Sequence, residues 1–186
     1  MSDQLGATLL QVLPFALTLL FLGIALKRGK IDSEATGLCA PRSWKHYIIW
    51  ISAFFLYALS ADLLLYQKGL LEIHKWHYPA GIAILRGFGA VLLAPLTEEI
   101  LLRGILLSLL LKKGIPSFPA IIIQSLLFVA LHASVYDGSG AALLGISQIF
   151  TDGILFGLAR KQTGSLLTSI TMHMLANSIA IAERLL

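Results

Sequence analysis

The chain is poor in charge and nearly free of cysteine. Only 13% of its 186 residues are Asp, Glu, Lys or Arg, against about 25% in a typical soluble domain. Cys39 is the single cysteine, which excludes an internal disulfide and any cysteine-based metal site. Strand alternation is lacking, as are internal repeats and low-complexity tracts. The sequence has no His-Glu-x-x-His, which disfavours a zincin-type metalloprotease. It has no Gly-x-Ser-Gly for a rhomboid-type nucleophile and no Gly-x-Gly-Asp for a presenilin-like aspartyl pair. The glycines are spread through apolar runs rather than gathered into a phosphate-cradling loop.

Apolar residues fill the space that charge vacates. They make up 57% of the chain, and the mean hydropathy is +0.83. These values exclude a disordered chain and a coiled coil, and they argue against a soluble globule. The net charge is +4 and the pI about 9.3. The basic residues do not form one patch but lie between apolar runs, so nucleic acid is not the expected partner.

Six apolar segments are predicted, each long enough for a helix to cross a hydrocarbon core of about 30 Å. They run over 5–26, 44–66, 79–111, 115–136, 140–159 and 164–182. Backbone groups in lipid must be paired internally, so helices are the expected spanning element. The predicted fold is a single all-α membrane domain over 1–186. It has about six spans and a catalytic core within 80–182. The first segment has no basic residue before it and no small-residue cleavage site after it, and is read as a retained span. The third segment is too long for one simple crossing. Pro95 is expected to break it into two pieces, with a broken or interfacial helix ahead of Glu98 and with Thr97 capping the second piece.

Basic residues orient the bundle. Lys27, Arg28, Lys30, Arg42, Lys45, Lys112, Lys113, Arg160 and Lys161 fall on one side if the third segment crosses once. Lys68, Lys75 and Arg184 fall on the other. The positive-inside rule then places the first group in the cytoplasm and the N-terminus outside.

Ionisable residues inside spans are costly and mark functional sites or stabilising pairs. Glu99 and Arg103 are four apart and share a helix face, which predicts an ion pair. Glu98 points roughly 100° away and has no local partner. Read alone, His132 is a packed histidine, and His173 with Asn177 is a helix-bridging pair. Depth unites them. Counted from the cytoplasmic ends at about 1.5 Å per residue, Glu98, His132, His173 and Asn177 lie roughly 21, 24, 14 and 20 Å deep. Three segments thus place carboxylate, imidazole and amide in one outer-half layer. Asp62, and Asp152 with Gln148, are expected to bond between helices or to line a wet cavity.

Glu98-Glu99-x-x-x-Arg103, Phe128-x-x-x-His132 and His173-x-x-x-Asn177 resemble the three signature motifs of the CAAX protease and bacteriocin-processing (CPBP, or Abi) family, which includes the type II CAAX prenyl proteases. Order, spacing and the flanks Ala94-Pro95, Arg103-Gly104 and Thr163-Gly164-Ser165-Leu166 agree. The resemblance covers about half the chain. It implies an intramembrane endopeptidase in a bacterial inner membrane. Glu98 and His132 would activate water, and His173 and Asn177 would stabilise the oxyanion. Glu99 and Arg103 would orient the site. No cofactor is implied, with zinc held by Glu98, His132 and His173 as the alternative. The implied partners are the bilayer and a membrane-anchored protein or lipidated peptide. The outer-half depth favours an exported protein with a C-terminal processing or sorting signal. Two other roles compete: a non-catalytic immunity or scaffold protein, and a small transporter, for which no paired broken helices are visible.

Overall fold

The computed structural model describes residues 2–70, 73, 75–132 and 140–185. Helix α1 spans Ser2–Lys27, the single turn α2 spans Ser33–Thr36, and α3 spans Trp44–Gln67. Helix α4 runs from Ala80 to Lys112. It is followed by α5 (Ser117–His132), α6 (Gly140–Thr163) and α7 (Leu166–Leu185). No strand occurs among the described residues. The part of the fourth predicted segment over 133–136 lies outside them.

The burial pattern is that of a membrane bundle. Large apolar side chains face outward: Leu10 is 78% exposed, Phe21 69% and Ile84 72%. The interior instead holds Thr97, Glu99, Arg103, Gln124, Ser125, Thr168 and His173. In water this arrangement would be unstable; in lipid the apolar residues meet their solvent outside and polar groups pair inside. Helices α1, α3, α4 and α6 have the length and hydropathy to cross a membrane. Helix α5 is apolar but only 16 residues long, about 24 Å. Helix α7 has 20 residues, and its Thr, Ser, His and Asn side chains lower its hydropathy. The protein is therefore an integral helical membrane bundle.

Small residues set the helix spacing. A Cβ on Gly153 would meet Ser125 at 3.1 Å, and one on Gly157 would meet Ile121 and Gln124 at 3.0 Å. The two glycines thus let α5 lie tightly on α6, the usual device of membrane helix packing. Gly89 plays the same part between α1 and α4, where a Cβ would fall 2.7 Å from Val12.

The expected break at Pro95 is not found. Helix α4 stays helical throughout and changes its winding instead. Two π-helical stretches, Gly89–Leu93 and Ile100–Leu106, interrupt the α-helical register. In the first, the Ala94 N–H bonds the Gly89 carbonyl five residues back. The next donor in that register would be residue 95, to the Ala90 carbonyl, but proline has no N–H. The lost bond is supplied from another helix: Asn177 Nδ2 donates to the Ala90 carbonyl at 2.7 Å. Thr97 is accordingly not an N-cap. Its hydroxyl donates back to the Leu93 carbonyl at 2.7 Å, inside the helix. The proline is accommodated because the fold provides a substitute donor, a fact invisible to local rules.

Candidate active site

The site grows out of the second π-helical stretch and the turn before it. Glu99 and Arg103 remain one turn apart, and Arg103 Nη1 donates to Glu99 Oε1 at 2.8 Å with both side chains fully buried. The guanidinium also donates from Nη2 to the Gly153 carbonyl of α6 at 3.3 Å. It lies over the rings of Phe128, at 4.5 Å, and Phe156, at 5.2 Å. Such cation–ring contacts help to offset the cost of a buried cation. The same carboxylate oxygen, Glu99 Oε1, accepts from His173 Nδ1 at 3.1 Å. One carboxylate thus ties α4 to α7 while neutralising Arg103.

His173 is fixed on its other sides by rings. Phe156 stacks on it at 5.2 Å and 23°, and Phe128 meets it edge-on at 5.4 Å. Because Nδ1 donates to Glu99, Nε2 is the free ring nitrogen. It lies 3.8 Å from Glu98 Oε2. His132, at the end of α5, is set in the same way. Its Nδ1 donates to the Phe128 carbonyl one turn back at 2.9 Å, and its Nε2 lies 4.0 Å from the same Glu98 oxygen. A carbonyl only accepts, so the proton of neutral His132 sits on Nδ1 and Nε2 carries a lone pair.

Glu98 is therefore the convergence point. Its Oε2 is buried without a hydrogen-bond partner among the described residues. Separations of 3.8 and 4.0 Å are too long for direct hydrogen bonds. They suit a single intervening water about 2.8 Å from each atom. Glu98, His132 and Asn177 line one cavity of about 270 Å³, walled by Gln11, Val12 and Phe15 of α1 on the far side. The six residues singled out from the motifs are thus brought into one connected cluster, with Glu99 and Arg103 behind Glu98 and His173 between them.

Neither aspartate is hydrogen-bonded to the motif residues among the described residues. Asp62 of α3 accepts from Gln148 of α6 at 2.9 Å, an interhelical bond of the expected kind. Asp152 is half-buried beside Tyr57, with one carboxylate oxygen unpaired among the described residues. The reading of the sequence did not anticipate Phe156, the backbone carbonyls of Gly153 and Ala90, or the wall that α1 supplies. Phe156 carries no signal of its own, because one phenylalanine among many apolar residues is ordinarily lipid-facing or core.

Residues 79–179 match the family described as type II CAAX prenyl endopeptidase Rce1-like. The chain belongs to this family. The matched stretch begins just before α4 and ends within α7, so it contains all six motif residues and the cavity floor. The chain is also similar to an uncharacterised 24.3 kDa protein of Escherichia coli, 34% identical over 91 residues. That match covers 48% of this chain and 40% of the relative, so less than half of either protein is shared by it. No solved structure matches the chain.

Proposed function

We propose that this protein hydrolyses a peptide bond of a membrane-anchored protein, near or within its membrane segment, by glutamate-directed activation of water. The observation that carries the reading is the unpaired, buried Glu98 Oε2 facing two imidazole Nε2 atoms at 3.8 and 4.0 Å. A structural carboxylate in a membrane interior is expected to be paired, as Glu99 is; an unpaired one is expected to act.

In this reading a water held between Glu98 and His132 attacks the scissile carbonyl carbon. Glu98 takes the water proton, and the new C–O bond forms as the carbonyl electrons move to oxygen. His173 Nε2 and the second N–H of Asn177 donate to that oxyanion, the role preorganised donors fill in acyl transfer. His173 enters the step already doubly protonated, so Nε2 has a proton to donate, and Glu99 is its counter-ion. Collapse of the adduct breaks the C–N bond, and Glu98 returns the proton to the leaving amine. Asn177 is held for this role because its first N–H is committed to Ala90. Glu99 and Arg103 act through His173 as positioning residues.

Zinc is the alternative occupant. Glu98, His132 and His173 supply chemically suitable ligands, and both imidazoles are oriented through Nδ1 as zinc ligands usually are. Tetrahedral zinc with ligands at about 2.0 Å would set them about 3.3 Å apart. The Glu98 Oε2 separations of 3.8 and 4.0 Å would close on such an ion by small side-chain rotations.

The substrate side is equally a proposal: an integral or lipid-anchored protein in a bacterial inner membrane, cut at a C-terminal processing or sorting signal. Quantitative terminal-peptide profiling of host membranes tests it, comparing wild type with Glu98→Gln at matched abundance. New termini that depend on Glu98 are the expected result. Unchanged termini together with a deletion phenotype would transfer the role to a scaffold or immunity function.

A further inference from the structure

The basic end of the bundle, opposite the cavity, holds two arginines with no carboxylate partner among the described residues. Arg160 lies in the last turn of α6, and Arg42 lies two residues before α3. The segment 35–42 is clamped on the turn between α6 and α7. The Arg42 N–H donates to the Thr163 carbonyl at 2.9 Å, and the Leu166 N–H donates to the Gly37 carbonyl at 2.8 Å. The Ser165 hydroxyl donates to the Cys39 carbonyl. This clamp sets both guanidiniums against glycines of positive φ. A Cβ on Gly37 would fall 2.3 Å from Arg160 Cζ and Nη2, and one on Gly164 would fall 2.7 Å from Arg42 Nε. The two cations are close enough to repel each other. Arg160 Nε is buried without an acceptor among the described residues, and Nη2 reaches only the Ala35 carbonyl, at 3.5 Å. Asp32 does not answer them, because its carboxylate caps α2. Two neighbouring guanidiniums fixed without a counter-charge are costly unless an anion joins them.

We propose that Arg42 and Arg160 together hold the phosphate of an anionic phospholipid, in the leaflet on the basic side of the bundle. The planar fork of an arginine matches phosphate oxygens. One phosphate between the two would end their repulsion and give Arg160 Nε an acceptor. The depth is that of a headgroup. Arg42 precedes one helix of membrane-spanning length and Arg160 ends another, so both lie at the membrane boundary. Trp44, two residues after Arg42, is 56% exposed and meets Tyr47 edge-on. Such aromatic residues gather at the membrane–water interface. Ile48 of α3 and Leu167 of α7 are exposed just inside the span and offer acyl chains an apolar path. A soluble acidic peptide would gain nothing from these apolar neighbours. Lys45 and Lys161, both exposed, add attraction to an anionic leaflet. The site stands without the peptidase reading. It secures the clamp at the start of α7, the helix that carries His173 and Asn177.

The test uses the full-length protein in phosphatidylcholine mixed micelles, with melts read by circular dichroism. Dioleoyl phosphatidylglycerol at about one hundred times its half-saturating level is expected to raise the melting temperature by about 5–10 °C. Arg42→Gln is the informative variant, because the Arg42 side chain is exposed and has no bond to lose among the described residues. It is expected to melt within about 2 °C of wild type in phosphatidylcholine alone, and to lose at least half of the lipid-induced shift. Lys112→Gln with Lys113→Gln removes two exposed charges from the same side of the bundle and is expected to keep the full shift. An equal loss in the lysine and Arg42 variants overturns the proposal in favour of diffuse surface charge. No shift with phosphatidylglycerol over phosphatidylcholine overturns it outright. An equal shift with glycerophosphoglycerol, the same headgroup without acyl chains, or with inorganic phosphate overturns the lipid in favour of a soluble phosphate. Native mass spectrometry counts bound lipid on the folded fraction, so it reads the site even in a variant of lowered stability. One retained phosphatidylglycerol on wild type and none on Arg42→Gln or Arg160→Gln is the expected result, and equal retention by all three overturns the assignment.

Discussion

Two neighbouring glutamates should respond in opposite ways to the same substitution. Glu99→Gln removes the only carboxylate bonded to Arg103 among the described residues, and the Arg103 side chain is fully buried. What remains to the guanidinium is one carbonyl contact at 3.3 Å and two ring faces, with Nε already lacking an acceptor. Breaking a buried ion pair from one side costs about 3–5 kcal/mol. The hydrogen bond from His173 weakens as well, adding about 1 kcal/mol. A chain of this length loses about 2–4 °C per kcal/mol, so the melting temperature should fall on the order of 10 °C. Glu98→Gln should instead leave stability unchanged or raise it, because its buried oxygen has no partner to lose. Its activity should fall by about 10²–10⁴ as the general base is removed. Circular dichroism at 222 nm in detergent reads both melts without labelling the exposed Cys39. A third variant, Glu99→Gln with Arg103→Met, should recover most of the stability by removing the stranded cation, and should not recover activity. Equal destabilisation by Glu98→Gln and Glu99→Gln would refute the division of labour between them. So would a Glu99→Gln melt within 2 °C or so of wild type.

The remaining expectations use other parts of the site. Asn177→Ala strands the Ala90 carbonyl and should cost about 1 kcal/mol; adding Pro95→Ala restores a local N–H and should return stability while activity stays low, as paired melts and cleavage assays will show. Gly157→Val should push α5 off α6, because even a Cβ there lies 3.0 Å from Ile121. The cost is about 1–3 kcal/mol, and His132 should move with α5, lowering kcat more than the loss of folded protein explains. Exhaustive dialysis against a chelator should leave cleavage intact; activity lost with the chelator and restored by zinc alone would transfer the role of Glu98, His132 and His173 to metal binding. Phe156→Leu should loosen His173 by removing its stacked ring and should also lower the melt, because the ring is buried and lies under Arg103; activity should fall by more than the loss of folded protein explains.

Local chemistry was readable because it depends only on neighbours along the chain. The helical runs follow from long stretches without charge. The Glu99–Arg103 pair follows from a spacing of four, and the solitary state of Glu98 follows from its angle on the same helix. The agreement in depth of Glu98, His132, His173 and Asn177 already placed three segments around one layer. Pro95 marks the limit of this kind of reasoning. Its missing N–H predicts a break when only the helix itself is considered. The actual outcome depended on a donor from residue 177, distant in sequence and adjacent in space.

The amino-acid sequence by itself determined that this is a helical membrane protein with an ionisable layer and the motifs of a peptidase family, because composition, period and spacing are local quantities. Tertiary structure alone decided which groups meet. It closed α5 on α6 through two glycines and set Phe156 against His173. It spent Asn177 on the Ala90 carbonyl, and it brought α1 across the cavity so that Arg86 and Glu98 share one space. Those contacts join residues up to 87 positions apart. They are settled by packing and by the need of each buried polar group for a partner, which no short stretch of sequence contains.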